Sequence, residues 1–133
     1  MQPITIGTKA TVSVIVTEAQ LAVNVGSGSL PVFATPMLAA LMEKAACLAV
    51  ADFLDAGETT VGTALDLAHT AATPEGMTVT ATAEVTAVSG REITFSVVAA
   101  DEVGSIGSGT HKRFLVKSEP FTKKAAARKE AIE

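Results

Sequence analysis

Residues 9–16 (Lys-Ala-Thr-Val-Ser-Val-Ile-Val) alternate apolar with polar side chains and are rich in β-branched residues, a period of two that predicts a strand. The periodicity lapses over residues 17–34, where Gly26-Ser27-Gly28-Ser29 predicts a flexible loop. That Gly-x-Gly has no strand-turn-helix frame and no third glycine, so it is not a dinucleotide fingerprint. Thr35-Pro36 then predicts a helix start. Threonine can cap free amide groups, and proline is tolerated at the first helical position because its missing N–H would be unpaired anyway. The run from Met37 to Asp55 is dense in Ala, Leu and Met, all good helix formers, and Gly57 stops it. A helix apolar on nearly every side is expected to be largely buried, against a sheet or a partner chain.

Beyond that helix the pattern returns to period two. Residues 60–70 predict one strand and residues 77–88 another, with Met77, Val79, Ala81, Ala83, Val85 and Ala87 on one face. Ser89-Gly90 turns the chain into a strand over 91–100, where Ile93, Phe95, Val97 and Ala99 alternate with polar or smaller residues. A second turn near Asp101–Gly104 leads to a strand over 105–117, and 121–132 predicts a short terminal helix. The order β-α-β-β-β-β, with short turns between antiparallel neighbours, is an α+β layer arrangement: a curved sheet wrapping one apolar helix.

The chain length of 133 residues suits a single domain over 1–133, with 118–133 as a basic helical tail. Leu, Ile, Val and Phe make up about a quarter of the chain, too much for a disordered protein. Mean hydropathy is +0.41, yet Glu43 and Lys44 interrupt the best helix, and no apolar stretch approaches the ~20 residues that span a bilayer. No basic and apolar leader opens the chain, and one cysteine, Cys47, allows no intrachain disulfide, so a soluble cytoplasmic protein is expected. Residues 1–110 carry 3 basic and 11 acidic side chains, against 7 and 3 in 111–133. An acidic body without Tyr or Trp argues against a nucleic-acid partner.

Glu43 is the most informative candidate for chemistry. Its neighbours three and four positions away are Ala39, Ala40, Ala46 and Cys47, so its carboxylate sits on an apolar stripe. A carboxylate in such surroundings is functional, or it is ion-paired with Lys44 or held at the surface of an imperfectly buried helix. His69, near the end of its strand, and more weakly His111 are candidate acid–base groups, each weighed against an ordinary hydrogen-bonded histidine. Two histidines without a carboxylate cluster predict no metal site. Cys47 is expected to pack in the core, and Thr35 to serve as a helix cap. Gly62, Gly107 and Gly109 interrupt strand patterns and predict bulges, or close approach by another backbone or a ligand.

Val32-Phe33-Ala34-Thr35, Leu41-Met42-Glu43, Gly62-Thr63-Ala64, His69-Thr70-Ala71-Ala72-Thr73-Pro74 and Ile106-Gly107-Ser108-Gly109-Thr110-His111 together resemble the hot-dog-fold acyl-CoA thioesterases. The resemblance is strongest to the fluoroacetyl-CoA-thioesterase-like branch, and it runs from about residue 8 to residue 117. It implies a sheet wrapped around a central helix, and hydrolysis of a short-chain acyl-CoA thioester to a carboxylate and free coenzyme A, with no separate cofactor. The catalytic group it implies is Thr35, Glu43 and His69, with Gly62 near the acyl group. Gly107 and Gly109, and Lys112 and Arg113 of the basic end for the phosphates, are further candidate substrate-binding positions read from the strand pattern and the charge. Either Glu43 attacks the carbonyl or activates water, or Thr35 is the nucleophile with His69 as its base.

Thr35 and Glu43 are 8 positions apart, roughly 12 Å along one helix. The two are therefore expected to meet across a two-fold interface, in a homodimer that could pair further into tetramers. Pro36 offers no N–H to an oxyanion, so a hole at this helix start would have to use Met37, Leu38 or another group. Loop Asn24–Leu30 holds no aromatic side chain to act as a lid, which favours a tolerant short-chain pocket over one specialised for fluoroacetyl-CoA. The alternative is a non-catalytic acyl-CoA or acyl-carrier binding module, which would not need Glu43 and His69 together. A hydratase would call for a close Asp–His pair, which the sequence lacks; a purely structural dimerisation domain leaves Glu43 unexplained.

Overall fold

The computed structural model describes residues 1–132. Five strands, β1 (Lys9–Ile15), β2 (Glu58–His69), β3 (Thr78–Ser89), β4 (Glu92–Ala100) and β5 (Ser105–Lys117), form one antiparallel sheet in the order β1-β3-β4-β5-β2. The β3–β4 hairpin turns through Gly90 at a φ of 60°, a left-handed conformation that glycine adopts without steric cost. β2 does not pair with β3, its successor in the chain. Residues 70–77 instead carry the chain across the sheet, leaving β2 at one edge against β5 and β1 at the other against β3.

A short helix, α1 (Ala22–Val25), precedes the long helix α2 (Thr35–Val50), and α3 (Ser118–Ala127) follows the last strand. Predicted as far as Asp55, α2 ends at Val50 and passes into a 3-10 turn, Ala51–Phe53. It lies across the inner face of the sheet, mainly on β1 and β3. Leu38, Leu41, Met42, Ala45, Ala46, Ala49 and Val50 recur at the three-and-four spacing of one helical face and are all buried. They meet Val79, Ala81, Ala83 and Val85 of β3 and Ile93, Phe95, Val97 and Ala99 of β4. Alanines on both layers let the helix settle close to the sheet, and each large side chain fully buried there contributes roughly 1.5–3 kcal/mol.

Two expectations about burial are corrected. α2 is apolar around most of its circumference, yet the single chain covers only one face, so Ala40, Lys44, Cys47 and Leu48 are exposed. Cys47 is therefore not a core residue. The inward stripe of β3 ends at Val85 rather than Ala87, because a bulge between Val85 and Ala87 turns Ala87 outward and brings Val88 against the core.

Gly107 and Gly109, expected among the substrate-binding positions, are explained by protein neighbours. A Cβ on Gly107 would stand 2.8 Å from the Ala68 carbonyl oxygen and 3.1 Å from Leu38 Cδ2, and one on Gly109 would collide with the Asp66 carbonyl. Their bare backbones let β2 and the first turns of α2 close onto β5. Gly109→Ala is expected to destabilise the fold by about 1–3 kcal/mol in urea denaturation. Gly104→Ala, where a Cβ meets nothing within 4 Å, should change stability by less than about 0.5 kcal/mol. Equal effects at the two glycines would contradict the packing assignment.

Candidate active site

The chain entering α2 is fixed by its backbone. Phe33 N–H donates to the Thr73 carbonyl at 2.8 Å, and Ala34 N–H donates to the Gln20 carbonyl at 3.0 Å. Ala34 occupies the cap position, so Thr35 is the first residue of the helix and its side chain makes no cap bond. This corrects the capping role. The hydroxyl instead meets His69 Nδ1 at 2.8 Å. His69 ends β2 facing inward opposite Gly107, and the next residue is anchored by its N–H to the Ile106 carbonyl at 2.7 Å.

Thr35 and His69 line an open cleft of about 370 Å³ together with Ala22, Val32, Phe33, the Ser27–Leu30 loop and Thr70–Ala72. Burial holds the His69 imidazole below its ordinary pKa of 6.5 and so favours the neutral ring, partly opposed by the Ala71 backbone. Its Nε2 is buried with no partner among the described residues. At the helix start, Met37 and Leu38 both donate their amides to the Ala34 carbonyl, at 2.9 and 3.0 Å, so neither is free for an oxyanion. The first-turn amide without a partner among the described residues is that of Thr35 itself.

Two turns along α2, Glu43 belongs to a second cluster. Arg113 Nη1 donates to Glu43 Oε2 at 3.3 Å, so the carboxylate is paired with Arg113 of β5 and not with Lys44. Glu43 lies at the margin of the buried stripe with its side chain 43% exposed, so it is both ion-paired and open to solvent. Arg113, a candidate phosphate contact, is buried. Its Nε donates to Thr60 Oγ1 and its Nη2 to the Thr60 carbonyl, both at 2.9 Å, and Nη1 also meets His111 Nε2 at 3.2 Å. Lys112 points away from this cluster, beside Glu92 at 3.8 Å.

Gly62 faces the cluster. A Cβ there would stand 2.7 Å from Glu43 Oε2 and 3.3 Å from Arg113 Nη1, so any side chain would displace the carboxylate. His111, a weak candidate in the sequence, is buried, hydrogen-bonded to the Ala64 carbonyl through Nδ1 at 2.8 Å and stacked on Phe95. Its alternation with Gly109 and Arg113 was the available signal for an inward position. Thus one chain joins Thr35 to His69 and Glu43 to Arg113, but does not join the two pairs. No group of three His, Cys, Asp or Glu side chains among the described residues could hold a metal ion.

Residues 16–119 match the fluoroacetyl-CoA-specific thioesterase (FlK) family. The chain belongs to this family. It is 50% identical over 93 residues to the fluoroacetyl-CoA thioesterase of Streptantibioticus cattleyicolor, spanning 70% of this chain and 67% of that protein. A crystal structure of a fluoroacetyl-CoA thioesterase superposes with a TM-score of 0.89 at 38% identity, over 94% of this chain and 97% of the other. A mutant of such an enzyme in complex with fluoroacetate and CoA matches with a TM-score of 0.85 at 39% identity, over 89% and 99% of the two chains. A thioesterase superfamily member from Thermus thermophilus is 28% identical with a TM-score of 0.89, covering 98% of this chain and 99% of its own. The sheet wrapped around α2 is the hot-dog fold of these thioesterases.

Both histidines have pKa values below 6.5, His69 through burial and His111 through burial together with the Arg113 charge. The unfolded chain then binds more protons than the fold just below that pH, so their stabilising contribution is complete above 6.5 and is lost as pH falls. The melting temperature of this thioesterase is expected to drop steadily from pH 6.5 to about pH 5 in calorimetry. A constant melting temperature over that interval would contradict the two neutral rings.

Proposed function

We propose that the chain hydrolyses short-chain acyl-CoA thioesters to a carboxylate and free coenzyme A, with Thr35, His69 and Glu43 as the catalytic group. The observation that carries the reading is the 2.8 Å hydrogen bond between the Thr35 hydroxyl and His69 at the wall of the 370 Å³ cleft. A hydroxyl on a neutral imidazole is the arrangement of a nucleophile and its base. As Thr35 Oγ1 bonds to the carbonyl carbon, its proton passes to His69 Nδ1. The C–S bond then breaks, and the departing thiolate of coenzyme A takes that proton. Water adds to the Thr35 ester, gives its proton to a carboxylate or to His69, and releases the acid while the threonine hydroxyl is restored. The donor we assign to the oxyanion is the Thr35 N–H, which has no partner among the described residues. The reaction calls for no cofactor beyond the coenzyme A of its substrate.

Glu43 lies roughly 12 Å along α2 from Thr35, so the carboxylate serving one Thr35–His69 pair is that of a second subunit. β2 supports this reading. It is a 12-residue edge strand whose Gly62, Ala64 and Ala68 leave its margin open, and such edges are normally covered. The functional unit is a homodimer, which could pair further into a tetramer. The related enzyme named for fluoroacetyl-CoA suggests a two-carbon acyl group. Here Ser27, Gly28, Ser29 and Leu30 form the outer wall without an aromatic ring, which leaves room for longer short chains. No helix among the described residues is long and apolar enough to cross a membrane, and we place the reaction in the cytoplasm.

The test is release of the coenzyme A thiol from acetyl-, propionyl-, butyryl-, longer-chain and aryl-CoA esters. Glu43→Gln and His69→Ala are each expected to lower kcat by two or more orders of magnitude with the dimer intact in sedimentation, and Cys47→Ala to change little. The acid limb of the wild-type kcat/KM profile should have its midpoint below 6.5, since His69 must be neutral to accept the Thr35 proton. Binding without hydrolysis of any ester would point to an acyl-CoA binding module instead. Full activity in a monomer would rule out the shared site.

A further inference from the structure

We infer that His111 is a positioning residue for Glu43: a neutral imidazole protonated on Nδ1, whose bare Nε2 accepts from Arg113 and so aims the guanidinium at the carboxylate. The inference rests on the proposed catalytic role of Glu43. It follows first from counting donors and acceptors. The Ala64 carbonyl 2.8 Å from Nδ1 can only accept, so Nδ1 carries a hydrogen. Arg113 Nη1, 3.2 Å from Nε2, can only donate, so Nε2 carries none. A proton on Nε2 would set two N–H groups head to head and place a second cation beside the guanidinium.

The same count applies to Arg113. Nε and Nη2 are clamped on Thr60, and the two hydrogens of Nη1 go to His111 Nε2 and Glu43 Oε2. Because the guanidinium is planar, those two directions are fixed relative to each other, and an acceptor at His111 determines where the other hydrogen points. His111 can serve as that fixed reference. It is buried, held through Nδ1 by the β2 backbone, and stacked on Phe95 with ring centroids 5.9 Å apart. Arg113 and Glu43 are the charged groups that act on it, with opposite effects, and burial adds to the Arg113 effect in keeping the ring neutral. The bare backbone of Gly62 leaves the Glu43 carboxylate the space it occupies beside Arg113 Nη1.

Two measurements test the assignment. Nitrogen-15 NMR of the histidine rings in the wild-type protein at neutral pH should show His111 uncharged and protonated on Nδ1, and an Nε2–H tautomer or a charged ring would overturn it. This readout does not depend on activity. In kinetics, glutamine at position 111 can place an amide oxygen near the lost Nε2, whereas asparagine replaces only the Nδ1 side. His111→Asn is expected to lose about tenfold or more in kcat with KM changed by less than about twofold, and His111→Gln to recover at least about fivefold of that loss. Equal kcat for the two variants, or an unimpaired His111→Asn, would overturn the positioning role. Unimpaired Glu43→Gln would instead refute the catalytic role of Glu43, an outcome separate from the His111 tautomer.

Discussion

Both halves of the site depend on the way β2 lies along β5. From His69 back to Leu65 the odd-numbered residues of β2 face inward, opposite Gly107, Gly109 and His111. Had the strand continued in that register, Thr60 and Gly62 would face outward. The pairing shifts between Gly62 and Ala64, and Thr63 is the extra residue that reverses the parity. Gly62 then stands opposite Arg113, and Thr60 turns inward to hold the guanidinium. One inserted residue thus lets a single strand present His69 to the start of α2 and an arginine clamp to its middle. The close fit also needs Gly107, whose missing side chain leaves room for Leu38 and so for the helix turn that carries Thr35.

The two histidines on this inner face are kept neutral for different ends. His69 stands at the cleft wall, one nitrogen on the Thr35 hydroxyl and the other buried without a partner among the described residues. Such a ring can take and return a proton. His111 has both nitrogens engaged, by a carbonyl and a guanidinium, and its ring is stacked. Proton uptake there would break the network, so neutrality makes it a rigid support. Burial pushes both pKa values down, but hydrogen-bond valence separates the proton carrier we propose in His69 from the support we propose in His111.

Much of this was legible along the chain. Period-two alternation marked all five strands because one face of each meets the core, and the Ala–Leu–Met run marked α2. Thr35, Glu43 and His69 stood out through their spacing and their resemblance to a family, and the structure joins two of them directly. What escaped was contact between distant parts of the chain. Glu43 and Arg113 are separated by 70 positions, and no local pattern says which cation reaches which carboxylate. A predicted cap became the first helical residue because Phe33 and Ala34 are pinned by Thr73 and Gln20, whose proximity is a property of the fold. Cys47 was misplaced for a simpler reason: an alanine-rich helix has no polar face to show which side will be left uncovered.

That uncovered side bears on how the enzyme is built. α2 carries Thr35 at its tip and Glu43 about two turns down, and its rigidity forbids them from serving one acyl group within a chain. Each chain nevertheless invests in both, with a cleft beside one and a buried arginine clamp behind the other. The homodimer we propose would resolve the mismatch, since in a two-fold arrangement the same surface supplies the threonine of one site and the glutamate of the other. The apolar positions left open on α2 and the unpaired margin of β2 lie on the elements that hold these two residues. On this reading, burial that is incomplete in one chain and chemistry that is incomplete in one chain have a common cause: assembly and catalysis use the same helix and the same edge.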